Sequence, residues 1–252
     1  STMKARLFII GVLFLGALFA TVPRAVLAQG LVADLSRHEV NITTGFVGTD
    51  VLLFGAVETE GDVIVVVRGP NKRTVVRHKS RVGGIWINDS EVSFANAPTF
   101  YRVASSRPVA DLLKRADRTR HRIGLNNLRL RPERASDPKR LASFRAGLIR
   151  NKVRSGVYGE KPGRVALLGP HLFRSTLHFP ANVPTGTYLV EVYLVRNGSV
   201  ISAQTTPLRV AKAGLGAEIY QFAHRNSALY GIIAILIALL AGWLAGVVFR
   251  KV

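Results

Sequence analysis

PTGTYLVEVYLVRNG, residues 184–198, decides how the rest of the chain is read. After Pro184 and Gly186, Tyr188, Val190, Val192 and Leu194 alternate with other residues, the period of a strand that buries one face. Asn197-Gly198 then supplies a turn before the next β-prone run, SVISAQ. The same grammar extends outward in both directions. RVALLGP, FRSTLHFP and PLRV lie around it at the short spacing of an all-β domain. Further back, Asp50–Val57 and Asp62–Arg68 predict two strands separated by Thr59-Glu60-Gly61. The second, DVIVVVR, is apolar enough to be central in a sheet. RTVVRHKSRVGGIWIN places Gly83-Gly84 between two short β-prone runs, a hairpin signal, and VSF near Val92 predicts an edge strand.

A Tyr at the start of a penultimate strand resembles the tyrosine corner of immunoglobulin-like sandwiches. The expected fold is therefore mainly β, an immunoglobulin-like β-sandwich, with other β architectures as the alternative. Interrupting it is a block of different composition. Of the formal net charge of +20, residues 102–164 hold 18 Lys or Arg against five Asp or Glu, while the rest of residues 29–220 is almost neutral. That shift marks a basic helical insertion. Ser106 is expected to cap a first helix with Pro108 in its first turn and Val109, Leu112, Leu113 and Ala116 on one side, ended by Gly124. Asp137-Pro138 is expected to open a second, with Leu141, Phe144, Leu148 and Ile149 inward and Arg140, Arg150 and Arg154 outward. LNNLRLRPERAS between them reads as loop.

Both ends of the chain are apolar. Residues 228–249 contain no charged side chain, and 22 residues at 1.5 Å each give about 33 Å, the depth of a bilayer core. Lys4 and Arg6 precede an apolar run over residues 7–22 and a small-residue cleavage site at Ala28, the pattern of a secretory signal peptide. An uncleaved signal anchor is the alternative, and would leave a second membrane helix. The expected organisation is a signal peptide (1–28), a first part of the β domain (29–101), the basic insertion (102–164), a second part of the β domain (165–213), a membrane-proximal segment (214–227), a transmembrane helix (228–249) and a cytoplasmic tail (250–252). Arg250 and Lys251 place that tail inside by the positive-inside rule. Tyr220, Phe222 and Tyr230 are expected at the outer interface. Ala234, Ala238, Gly242 and Gly246 repeat every four residues, the spacing of a helix-packing face.

The chain has no Cys, which excludes disulfides, thiolate catalysis and Cys-ligated metals. There is no GxSxG, no phosphate-cradling glycine loop and no HxH or HxxxH spacing among the six His. A surface or core role is the expected one for His171 and His178, with an approach across a turn to share a metal as the alternative. No catalytic, cofactor-binding or metal residues are assigned, no cofactor is expected, and the protein is not expected to be an enzyme. A dense basic surface beside a bilayer is expected to meet anionic lipid headgroups or an acidic partner through Arg140, Arg150 and Arg154. Nucleic acid is not expected, since no aromatic stacking pattern accompanies the cations.

LLFGAVETEGDVIVVVRGP, GGIWIN, FYRVASSRP, ANVPTGTYLVEVYLVRNG and IYQFAH before the membrane run together resemble the alphaproteobacterial putative transmembrane protein family. The resemblance covers nearly the whole chain. It implies a bacterial inner-membrane protein with a periplasmic domain, encoded near sulfite-exporter-type permeases, and it implies no activity or site residues. The expected function is that of a periplasmic accessory or interaction protein on a single membrane helix. Its partner is expected to be an inner-membrane protein, such as an oxyanion permease of the sulfite type, or a second copy. The alternative is an anion-binding protein or weak enzyme that uses the Arg-rich insertion directly.

Overall fold

The computed structural model of the chain describes residues 30–134, 137–214 and 222–249. The expected signal peptide, the cytoplasmic tail and Tyr220 lie outside the described residues. Among the described residues there are eleven strands: β1 (Leu31–Leu35), β2 (Glu39–Ile42), β3 (Gly48–Val57), β4 (Asp62–Arg68), β5 (Asn71–Val82), β6 (Ile85–Pro98), β7 (Tyr101–Ser105), β8 (Gly163–Leu168), β9 (Leu172–Pro180), β10 (Gly186–Arg196) and β11 (Ser199–Lys212). Nine of them form one curled sheet in the order β1-β3-β9-β8-β7-β4-β10-β11-β2, and β5 and β6 form a separate two-stranded ribbon. The fold is mainly β, as expected.

Two features make the sheet curl. β8 pairs antiparallel with β9 through Val165–Leu168 and parallel with β7 through Gly163 and Arg164, so one short strand turns the corner between two halves. At the opposite side, the Gln204 side chain on β11 bonds both the N–H and the C=O of Ala33 on β1, each at 2.8 Å. The halves meet through alternating apolar residues such as Leu53, Phe173 and Phe179 on one and Val65, Val190 and Val192 on the other, all essentially inaccessible. Phe100, Phe179 and Tyr188 form a trio with ring centroids 5.4–5.8 Å apart that ties β9 to β10. The Tyr188 hydroxyl donates to the Pro184 carbonyl at 2.5 Å. Burial pushes its pKa upward, so the proton stays in place.

Strand β4 explains its unbroken apolar run. Val63, Val65 and Val67 point to the inner core, while Ile64 and Val66 point to the other face and are equally buried. That second face is covered by residues 106–162, the chain between β7 and β8. Here lie α1 (Val109–Leu112), α2 (Arg115–Arg120), a 3₁₀ turn (Leu125–Asn127) and α3 (Pro138–Arg154). The first expected helix is thus two short ones. Leu113 and Lys114 are extended, with Leu112 and Leu113 both buried, and the Lys114 N–H is taken by the Gly198 carbonyl. Ser106 caps no helix; its hydroxyl instead donates to Asp62 and accepts the Val63 N–H. Asp137 and Pro138 do open α3, with the Asp137 side chain accepting the Arg140 N–H.

The ribbon also departs from expectation. Its strands are 12 and 14 residues long rather than short, and Val92 lies inside β6 rather than on an edge of the main sheet. Gly83 and Gly84 both take positive φ, the geometry of a tight two-residue hairpin turn that residues with a Cβ seldom adopt. The half of the ribbon near its root is held by α3. Phe144 meets His78 edge-on at 6.5 Å, and the ribbon carries buried Val92 and Phe94. The last described element is α4 (Ser227–Phe249), 23 residues and about 35 Å long.

Candidate functional site

The insertion is secured to the sheet at a hub around Arg68, the last residue of β4. Its guanidinium pairs with Glu191 on β10, lies 5.9 Å from the Tyr101 ring centroid, and donates to the carbonyls of His121 (2.8 Å) and Arg122 (3.2 Å). Tyr101 adds its own hydroxyl, donating to the Arg122 carbonyl at 3.0 Å and accepting the Gly124 N–H at 2.8 Å. The loop 121–124 is therefore pulled carbonyl-first onto the sheet. That geometry puts Arg122 in the left-handed region at φ 56°, a strained position for a residue with a Cβ.

With the His121 and Arg122 carbonyls turned inward, the Arg122 side chain is exposed and His121 half-buried, while Ile123 is buried in the core. Arg120, His121, Arg122 and Arg129 rim a bowl of about 390 Å³ whose floor includes Arg68 and Tyr193. His121 packs edge-on against Tyr193 at 5.3 Å, and its pKa is lowered, first by burial and further by Arg120 and Arg68, against the opposing pull of Asp117. A second cavity of about 550 Å³ is lined by Ile123 and Gly124 of the same loop, with Arg115, Arg118 and Tyr101 on its wall. An open bowl with several guanidinium groups and one carboxylate, already engaged by Arg68, suits an anion.

Helix α3 supplies the second cationic surface. Phe144 and Leu148 are buried, and Arg140, Arg150 and Arg154 are exposed within an arc of about 80°. Arg140 lies over the Phe144 ring at 5.7 Å. Among the described residues none of these three arginines pairs with a carboxylate. Arg145 and Lys152, on the apolar side in sequence, are used structurally. Arg145 donates to the Asn126 and Leu128 carbonyls, and half-buried Lys152 has its pKa lowered by burial and then by Lys72. The outward arginines and the bowl belong to the same insertion but sit on different elements. Sequence reading missed the bowl. Its signal was the dense run Arg118–Arg122, in which helical spacing could not reveal a loop folded back on β4.

His171 and His178 do not meet. The first contacts the Val57 carbonyl and the second Asp50, seven residues or about 23 Å apart along one strand. Among the described residues no three His, Asp or Glu side chains gather where they could share a metal ion. On α4, Ala234, Ala238, Gly242 and Gly246 fall on one face, and a Cβ added to either glycine would meet open space.

A β domain carrying a basic helical cover, followed by the one helix among the described residues long and apolar enough to cross a membrane, defines a membrane protein with a folded domain on one side. The chain belongs to the family described as "Putative transmembrane protein (Alph_Pro_TM)", which it matches over residues 30–251. No curated protein and no solved structure matches it.

Proposed function

We propose that this protein is a non-catalytic accessory factor, anchored in the bacterial inner membrane with its β domain in the periplasm and its last residues in the cytoplasm. The N-terminal run acts as a cleaved signal peptide, and the domain is an immunoglobulin-like sandwich modified by the insertion. Its working surface is the insertion, which meets anionic headgroups or an acidic face of a membrane partner. The observation that supports this reading most directly is the set Arg140, Arg150 and Arg154, exposed on a helix whose other side packs through buried Phe144 and Leu148. The small-residue face of α4 would meet a helix of that partner, an oxyanion permease of the sulfite type, or of a second copy.

The test uses residues 29–213, since the buried core takes no residue from α4. This fragment is expected to co-sediment with vesicles containing phosphatidylglycerol, or to retain an acidic partner from detergent-extracted membranes, at about 0.1 M salt but not at about 1 M, where the screening length falls from about 10 Å to about 3 Å. Arg140→Glu, Arg150→Glu and Arg154→Glu together should abolish that binding with unchanged melting. No binding by the unsubstituted fragment to either target rejects the proposal.

The bowl supports a second reading, direct capture of a small oxyanion by Arg120, Arg122 and Arg129. A rise in melting temperature with sulfite, sulfate or phosphate, lost in Arg122→Gln, is its expected signature.

A further inference from the structure

The end of the β5–β6 ribbon is built unlike the rest of the external domain. Beyond the part held by α3, residues 79–88 are exposed wherever their burial is described, except half-buried Ser80, and they include Ile85, Trp86 and Ile87, which are 69%, 66% and 44% exposed. Large apolar side chains grouped at the tip of a protruding hairpin are costly in water and mark a surface that is covered in use. The cations of the same segment are Lys79 and Arg81, and Arg81 stands directly opposite Trp86 across the ribbon. No acidic residue occurs among residues 79–88. The nearest, Asp89 and Glu91, are set back and engaged by His78 and Arg77. Trp with flanking aliphatic and cationic side chains is the composition of a membrane–water interface, where the ring sits at headgroup depth and cations meet anionic lipid.

Topology puts that tip within reach of a bilayer. The chain leaves the sheet for the membrane at the end of β11, after Lys212. The register Gly186↔Val210 and Leu189↔Arg68 places the end of β4, and hence the root of the ribbon at Asn71, at that same end of the sheet. Twelve strand residues give the ribbon about 40 Å; of the 14 residues between Lys212 and Ser227, 222–225 are helical, so that stretch reaches at most about 40 Å and the two reaches are comparable. The small size of the patch also selects its occupant. Three side chains cover a few hundred Å² at most, well below the roughly 800 Å² per partner of a stable protein interface. Shallow insertion into a lipid surface needs no such area, because α4 already holds the domain beside it.

We propose that the ribbon tip, Trp86 with Ile85 and Ile87, inserts into the headgroup region of the bilayer that α4 spans, with Lys79 and Arg81 on anionic headgroups. This second membrane contact fixes the domain's tilt on its tether. It does not depend on the arginine surface of α3.

The chain has two Trp, so Trp243→Phe leaves Trp86 as the single emitter. The full-length variant, reconstituted in vesicles containing phosphatidylglycerol, should show blue-shifted emission. Lipids brominated near the headgroup should quench it more than lipids brominated at the chain ends, and soluble iodide should quench it weakly. In purely zwitterionic vesicles, or with Lys79→Glu and Arg81→Glu, the bromolipid quenching should fall. Emission at its aqueous position with free access to iodide overturns the proposal. Blue-shifted emission that no bromolipid quenches also overturns it, because the tip is then covered by protein. Equal quenching in zwitterionic and anionic vesicles overturns the role of the two cations. If Trp243→Phe does not insert, the difference between the unsubstituted chain and Trp86→Phe gives the same readout.

Discussion

The curled sheet and the insertion laid over it bury their apolar residues in the same cluster, yet they are stabilised differently. The sheet satisfies itself: neighbouring strands pair along their length, its inner face is aliphatic and aromatic, and its flanking sequence is nearly neutral. The insertion has few contacts of its own kind. α1 and α2 are four and six residues long, too short to be stable alone, and the loop after them keeps its shape because Arg68 and Tyr101 hold its carbonyls. Packing specifies the first region, and a few polar anchors specify the second. The excess positive charge sits in the region that depends on the other for its shape, which frees that surface to be chosen for what it meets.

The comparison makes distinct predictions. Val65 is fully buried between the two halves, so Val65→Asp places an unpaired charge there at a cost of several kcal/mol, a large part of the roughly 5–15 kcal/mol that stabilises a domain. The whole β domain, insertion included, should lose its cooperative melt. Phe144→Ala should act more locally, costing about 3 kcal/mol through a cavity between α3 and the ribbon. Amide exchange should then speed up across α3 while the strands around β4 keep their protection. If strands and α3 open together, the two regions form one cooperative unit and the contrast drawn above fails. Tyr188→Phe removes one hydroxyl and its bond to Pro184, and about 1 kcal/mol of stability measured by urea titration is expected. No change at all would make that bond incidental to the sheet.

How much could be read beforehand follows the same division. Alternation in β9 and β10, the glycine pair at residues 83–84 and the Asp137-Pro138 start of α3 were legible, because each depends on neighbours within a few residues. The break after α1 was not, because Lys114 answers to Gly198, 84 residues away. Strand β4 was legible as central, but what covers its second face was not, since an apolar run has no partner written into it. The outward arginines of α3 could be placed by helical spacing alone. The bowl could not, because it forms only when Arg68 and Tyr101 draw a distant loop onto the sheet.

The way β11 leaves the sheet also has a mechanical side. It runs antiparallel to β10 from Ser199 to Val210 and parallel to β2 over Arg209–Lys212, and then the chain passes toward the membrane. A pull on the end of β11 that runs along the strand axis loads these pairings from both sides. The hydrogen bonds lie across that axis, so the load is shared by many of them in shear instead of opening them singly from one end. The chain that leads to the anchor thus departs from a strand paired on both sides, whose hydrogen bonds share a load applied along it.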